Sequence, residues 1–80
     1  MHELAIFPNP SAGKFTIEAP LFAGQVIELY NLKGQQVFKQ DVLNSGLSQI
    51  LEINLAPGMY VLQLLSKEGT QLASSRLVVD

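Results

Sequence analysis

The residues Asn54-Leu55-Ala56-Pro57-Gly58 run directly into Met59-Tyr60-Val61-Leu62-Gln63-Leu64-Leu65, a turn signal followed by the longest apolar stretch of the chain. Proline presets φ near about −65° and glycine accepts positive φ, so Pro57 and Gly58 fit the two central positions of a type II turn. Met59 to Leu65 is too short for an ordinary helix and has one polar member, Gln63, which predicts an interior strand nearly covered on both faces. Alternation places Tyr60, Leu62 and Leu64 on one face, assigned here to the core, and Met59, Val61, Gln63 and Leu65 on the other. Each leucine buried there contributes about 1.5–3 kcal/mol, and Tyr60 adds a large apolar body whose hydroxyl has to find a partner. The rest of the chain must supply the facing wall.

Taken in order, the chain offers six more candidates for that wall and its sheet. Leu4 to Phe7 is a short apolar run closed by Pro8-Asn9-Pro10-Ser11-Ala12-Gly13, which reads as an edge strand entering a loop. Lys14 to Glu18 alternates, with Phe15 and Ile17 inward, and Pro20 is expected to end it, leaving Leu21 to Gly24 as the connection. Gln25 to Tyr30 is a third strand with Ile27 and Leu29 opposite Val26, Glu28 and Tyr30. The turn Asn31-Leu32-Lys33-Gly34 follows, with Gly34 able to take the positive φ of a hairpin bulge. In the return strand, Gln35 to Gln40, Val37 and Phe38 are adjacent, which leaves its core side open. Beyond an Asp41 to Gly46 loop, Leu47 to Leu55 reads as a strand with Leu47, Leu51, Ile53 and Leu55 on one face, a helix being the minority alternative. A polar turn, Ser66-Lys67-Glu68-Gly69, leads to a last strand, Thr70 to Val79. There Leu72, Ser74, Arg76 and Val78 face one side, and Ala73, Ser75, Leu77 and Val79 the other. Seven short strands separated by turn signals predict an all-β antiparallel sandwich.

Eighty residues at 48% hydrophobic and 15% charged make one folded domain with a single core. Five scattered Lys and Arg against seven acids give a net charge of −2, which argues against a phosphate-tracking nucleic-acid surface. No apolar run reaches the ~18–20 residues of a helical membrane span. Without cysteine the fold has no disulfide, thiolate nucleophile or thiolate metal site. Met1-His2-Glu3-Leu4 lacks the basic, apolar and small-residue succession of a signal peptide.

Catalytic chemistry finds no foothold in this pattern. The single histidine, His2, stands at a terminus, and the acids are spread over separate elements where solvated faces are expected. Ser11-Ala12-Gly13-Lys14 is like the end of a phosphate loop, but the leading glycine is missing, Phe15 replaces Ser or Thr, and a strand follows in place of a helix. No loop carries the acid spacing of a calcium site. Neither a cofactor nor a metal is therefore expected.

Several short motifs nevertheless fall in a specific order: Ile6-Phe7-Pro8-Asn9-Pro10, Gly13-Lys14-Phe15-Thr16-Ile17, Val26 to Val37, Ile53 to Leu62, and the closing Arg76-Leu77-Val78-Val79. In that order the chain resembles the type A C-terminal sorting domain of the type IX, or Por, secretion system of Bacteroidota, from Leu4 to the end. The resemblance implies a seven-stranded immunoglobulin-like β-sandwich at residues 4–80, preceded by linker residues 1–3. It also implies a role as a C-terminal secretion signal carrying an upstream cargo across the outer membrane, removed afterwards by a surface sortase and performing no chemistry of its own. Pro8, Asn9, Pro10 and Gly13 match the family's opening motif, Gly34 its first hairpin glycine, Gly58 and Tyr60 its second turn and strand, and Leu77, Val78 and Val79 its terminal strand. The ending in Asp80 departs from the commoner basic or apolar ending.

The implied partners are translocon components, a sortase and the upstream cargo, with edge strands also able to pair with a second copy. The implied location is the periplasm in transit to the outer-membrane surface or beyond. On this reading the last strand is an edge whose free backbone groups template strand addition. The alternative is an accessory immunoglobulin-like binding or adhesive module, for which Phe22 and Phe38 are the aromatic side chains to examine.

Overall fold

The computed structural model describes residues 2–10 and 12–80; Met1 of the expected linker and Ser11 of the expected loop lie outside them. Its strands are β1 (His2–Glu3), β2 (Ala5–Phe7), β3 (Lys14–Leu21), β4 (Val26–Asn31), β5 (Gln36–Asp41), β6 (Gly46–Glu52), β7 (Gly58–Leu65) and β8 (Gln71–Val79). Strands β8-β7-β4-β5 form one antiparallel sheet and β2-β3-β6 the other, facing each other as an immunoglobulin-like sandwich. The two-residue β1 adds to the outer side of β8 in parallel, pairing His2 with Ala73 and Glu3 with Ser74.

The apolar stretch occupies the place its composition demands. Strand β7 lies between β4 and β8, and Tyr60, Leu62 and Leu64 point into the core while Met59, Val61, Gln63 and Leu65 lie on the other face, exposed or half-buried. Its sheet adds Ile27 and Leu29 from β4 and Ala73, Leu77 and Val79 from β8. The facing wall is Phe15, Ile17 and Leu21 of β3 with Leu51 of β6, closed by Leu4 and Val42 from connecting segments. These side chains make one continuous cluster, as an 80-residue chain must.

Four local expectations need correction. Strand β3 does not stop at Pro20: it runs through Leu21, which is buried, and the register shifts between Glu18 and Leu21, where an imide without an N–H fits. Pro57-Gly58 is not a type II turn, because Gly58 has φ 154° and already pairs with Val79 as the first residue of β7. Strand β6 ends at Glu52, although Ile53 and Leu55 beyond it still pack on the core. Leu47 is 75% exposed: it lies at the start of β6, beside the irregular part of β3, where no opposing wall reaches it. Val42 lies in a loop, as expected, and is buried there, its N–H and C=O bonding Gln25 C=O and Gly24 N–H at 2.8 and 3.0 Å.

The ambiguity in β5 is resolved by a bulge. Leu29 pairs with Phe38 and Tyr30 with Gln36, so Val37 is the extra residue; it turns outward and Phe38 packs against the core.

Candidate functional site: the pole that gathers the motifs

The strand directions bring every motif to one end of the sandwich. Strands β2, β4, β6 and β8 finish there and β3, β5 and β7 begin there, as the pairs Phe7–Thr16, Lys14–Glu52, Tyr30–Gln36, Asn31–Tyr60 and Gly58–Val79 require. Residues almost seventy positions apart in sequence therefore share one surface.

Asn9 makes the join. Its Nδ2 donates to Arg76 C=O at 2.9 Å, and its Oδ1 accepts from Val78 N–H at 2.9 Å. A carboxamide can present an N–H and its C=O on the same side, as one residue of a paired strand presents its N–H and C=O, so the side chain occupies the outer rail of β8 as a neighbouring strand would. Pro8 and Pro10, both preceded by cis peptide bonds, flank it and offer no N–H of their own. The rim of β8 is thus not the open template expected: β1 covers Ala73 and Ser74, and Asn9 covers Arg76 to Val78.

The remaining motif residues divide into buried and displayed groups. Leu77 and Val79 are core residues, whereas Val78 points to the outer face beside Met59 on β7. Tyr60 is buried, and its hydroxyl donates to Ala56 C=O four residues upstream, the geometry of a tyrosine corner at the entry to a core strand. Gly13 has φ 102° and its C=O accepts from Ile53 N–H at 2.8 Å; a Cβ there would stand 2.5 Å from Ile53 C=O, which no side chain tolerates. Gly34 has φ 85° in the β4–β5 hairpin, and its N–H donates to Asn31 C=O at 3.0 Å.

Asn31 escaped the sequence reading although it organises that hairpin. Its Oδ1 accepts from the N–H groups of Lys33 and Gln35, each at 3.0 Å, a local pattern characteristic of Asn before a turn and available as a signal in Asn31-Leu32-Lys33-Gly34. The hairpin and the Pro57 to Tyr60 segment enclose a shallow cleft of about 270 Å³, with Leu32 70% exposed at its mouth. Beside it, Tyr30 donates to Glu28, and this bond, with desolvation and the carboxylate's charge acting the same way, holds the phenol above its usual pKa. Among the described residues no three His, Asp or Glu side chains converge as metal ligands. Phe22 is exposed at the end of β3, whereas Phe38 packs on the core from the other sheet, so the two do not form one platform.

A family model described as the secretion system C-terminal sorting domain matches residues 5–80, all of the sandwich from β2 onward. The chain belongs to that family. It is also similar, at 23% identity over 77 residues, to "Ulvan lyase NLR42" of Nonlabens ulvanivorans; the match takes in 96% of this chain and 14% of the lyase. The sorting domain thus spans about one seventh of that relative's length. It is a C-terminal sorting signal of type IX secretion, the tail of an exported cargo protein, built as an immunoglobulin-like sandwich.

The Asn9 bridge gives a stability test for the pole. Asn9→Ala removes two hydrogen bonds that water can partly replace, so the sorting domain is expected to lose about 1–2 kcal/mol in urea unfolding. Asn9→Asp keeps the acceptor for Val78 N–H but sets a carboxylate oxygen against Arg76 C=O, so it should cost at least as much as Asn9→Ala.

Proposed function

We propose that the export machinery reads the pole where the motif residues meet, and reads it as a folded surface. The observation that supports this most directly is the bridge from Asn9 to β8, which makes the opening and closing motifs a single structure. The direction of chain entry supports it too. His2 lies beside Ala73, three to five residues, or roughly 10–16 Å, along β8 from the Asn9 contacts, so cargo attached upstream arrives from the opposite side. The pole then faces away from the cargo, toward a partner.

In this reading the translocon engages Val78, Leu32 and the rim of the cleft, while Leu77, Val79, Tyr60, Gly13 and Gly34 shape that surface from beneath. Transit runs through the periplasm to the outer-membrane surface. A surface sortase then cuts at or before Leu4, where β1 has to peel from β8 to expose the backbone. The domain acts as that enzyme's substrate and contributes no catalytic group.

A reporter fused upstream provides the test. Val78→Asp with Leu32→Asp, two changes on outward positions, should leave the domain folded by circular dichroism and hold the reporter inside the cell. Glu68→Lys, in the turn at the far end, should export normally. Export of the double variant at the level of the unaltered domain would overturn the assignment of the pole.

A further inference from the structure

The sandwich has four lateral rims, and three carry a recognisable guard against strand addition. On β8 the guard is β1 with the Asn9 side chain. Strand β2 has three residues and runs into Pro8 and Pro10. Strand β5 is kinked by the bulge at Val37 and carries Lys39 and Asp41 on its outer side. These are the means by which natural sheets keep their edges from pairing.

Strand β6 has none of them. Its seven residues, Gly46-Leu47-Ser48-Gln49-Ile50-Leu51-Glu52, include no proline or lysine, and the one charge sits at the last position. Among the described residues it pairs with β3 alone; no strand pairs on its other side, where Ser48 and Gln49 border a cleft of about 290 Å³ shared with Gln40, Asp41 and the Leu43 to Ser45 loop. Leu47 and Ile50 are 75% and 64% exposed, and Leu43 in the loop before it is 78% exposed.

We propose that β6 pairs with β6 of a second copy of this chain, antiparallel about a two-fold axis at Gln49. The charge pattern selects this occupant. In that register Glu52 stands opposite Gly46, and the two Glu52 carboxylates are six residues, roughly 20 Å, apart, beyond the ~8–10 Å over which exposed charges act at ordinary salt. The apolar pattern selects it as well. Ile50 lies opposite Ser48 and diagonal to the other Ile50, within reach on the outer face. Leu47, uncovered in its own copy, lies opposite Leu51 of the other and extends that copy's buried wall. The two three-stranded sheets become one sheet of six. The contact is isologous and closed, so it stops at two copies. A single strand rim falls below the ~1,200 Å² of a standard interface, which makes the pair weak and dependent on local crowding. The pairing goes beyond the sorting role and leaves the motif pole free.

The absence of cysteine makes the register directly testable. Gln49→Cys places the introduced thiols on the axis, at a Cα separation that a disulfide spans. Mild oxidation should give a covalent dimer on a non-reducing gel, and Val37→Cys on β5 should give little. Sedimentation velocity of the unaltered chain from micromolar to millimolar concentration should show a monomer moving toward dimer, a shift lost in Ile50→Lys and kept in Val37→Lys. A chain that stays monomeric throughout overturns the proposal. So does a dimer that survives Ile50→Lys but not Val37→Lys, which would move the contact to β5.

Discussion

A chain ending at Arg76 is expected not to fold. The four residues removed include Leu77 and Val79, buried to 0% and 4% exposure, and each such loss costs about 2–5 kcal/mol when the side chain alone is cut back. The deletion also takes away the partners of Gly58, Met59 and Tyr60 on β7 and the N–H that Asn9 accepts. Domains of this size hold roughly 5–10 kcal/mol in all, so the sum reaches the whole stability. Circular dichroism and one-dimensional NMR of the truncated chain should show lost β-structure and collapsed dispersion. Failure to export such a truncation therefore says nothing about contact with the translocon, which is why the outward residue Val78 carries that test. A truncated chain with native-like spectra would mean that β8 is dispensable to the core.

Tyr60→Ala is expected to lower the unfolding free energy by about 3–5 kcal/mol, measured by urea or thermal unfolding. The ring fills the end of the core beneath the pole, and its hydroxyl bonds the Ala56 carbonyl that precedes the strand. Tyr60→Phe separates these contributions: it keeps the ring and should cost about 1–2 kcal/mol, the share of a hydrogen bond whose acceptor is left unpaired. A loss near zero for Tyr60→Ala would place the ring outside the packed interior. Equal losses for both variants would mean that the corner hydrogen bond accounts for the whole contribution of Tyr60.

The parts of the fold legible in the sequence were those where one local rule acted alone. In the first half of β3 and in β7, period two alone separates the inward residues, Phe15 and Ile17 in one and Tyr60, Leu62 and Leu64 in the other. Where a neighbouring strand had a say, the local rule lost. Pro20 signals a stop, but β3 continues to Leu21 because that side chain fills the core and the register shift absorbs the missing N–H. Val37 and Phe38 could not be ordered until the bulge opposite Leu29 and Tyr30 was visible. Leu47 follows the right alternation yet lacks a wall, a fact about the other sheet.

The motif residues stood out along the chain, but the way they assemble did not. Pro8-Asn9-Pro10 and Leu77-Val78-Val79 both stood out in the sequence, but nothing along the chain shows that one asparagine side chain joins them. Nor does the resemblance alone separate Val78, which is displayed, from Leu77 and Val79, which are packed.

That join has a consequence for timing. Within the domain Asn9 is made before Arg76 to Val78, so the asparagine waits through nearly all of the sandwich before its acceptor and donor exist. A chain whose synthesis stopped between the two motifs would carry the opening one and still lack the join. The join closes only once the last strand of the domain has been made.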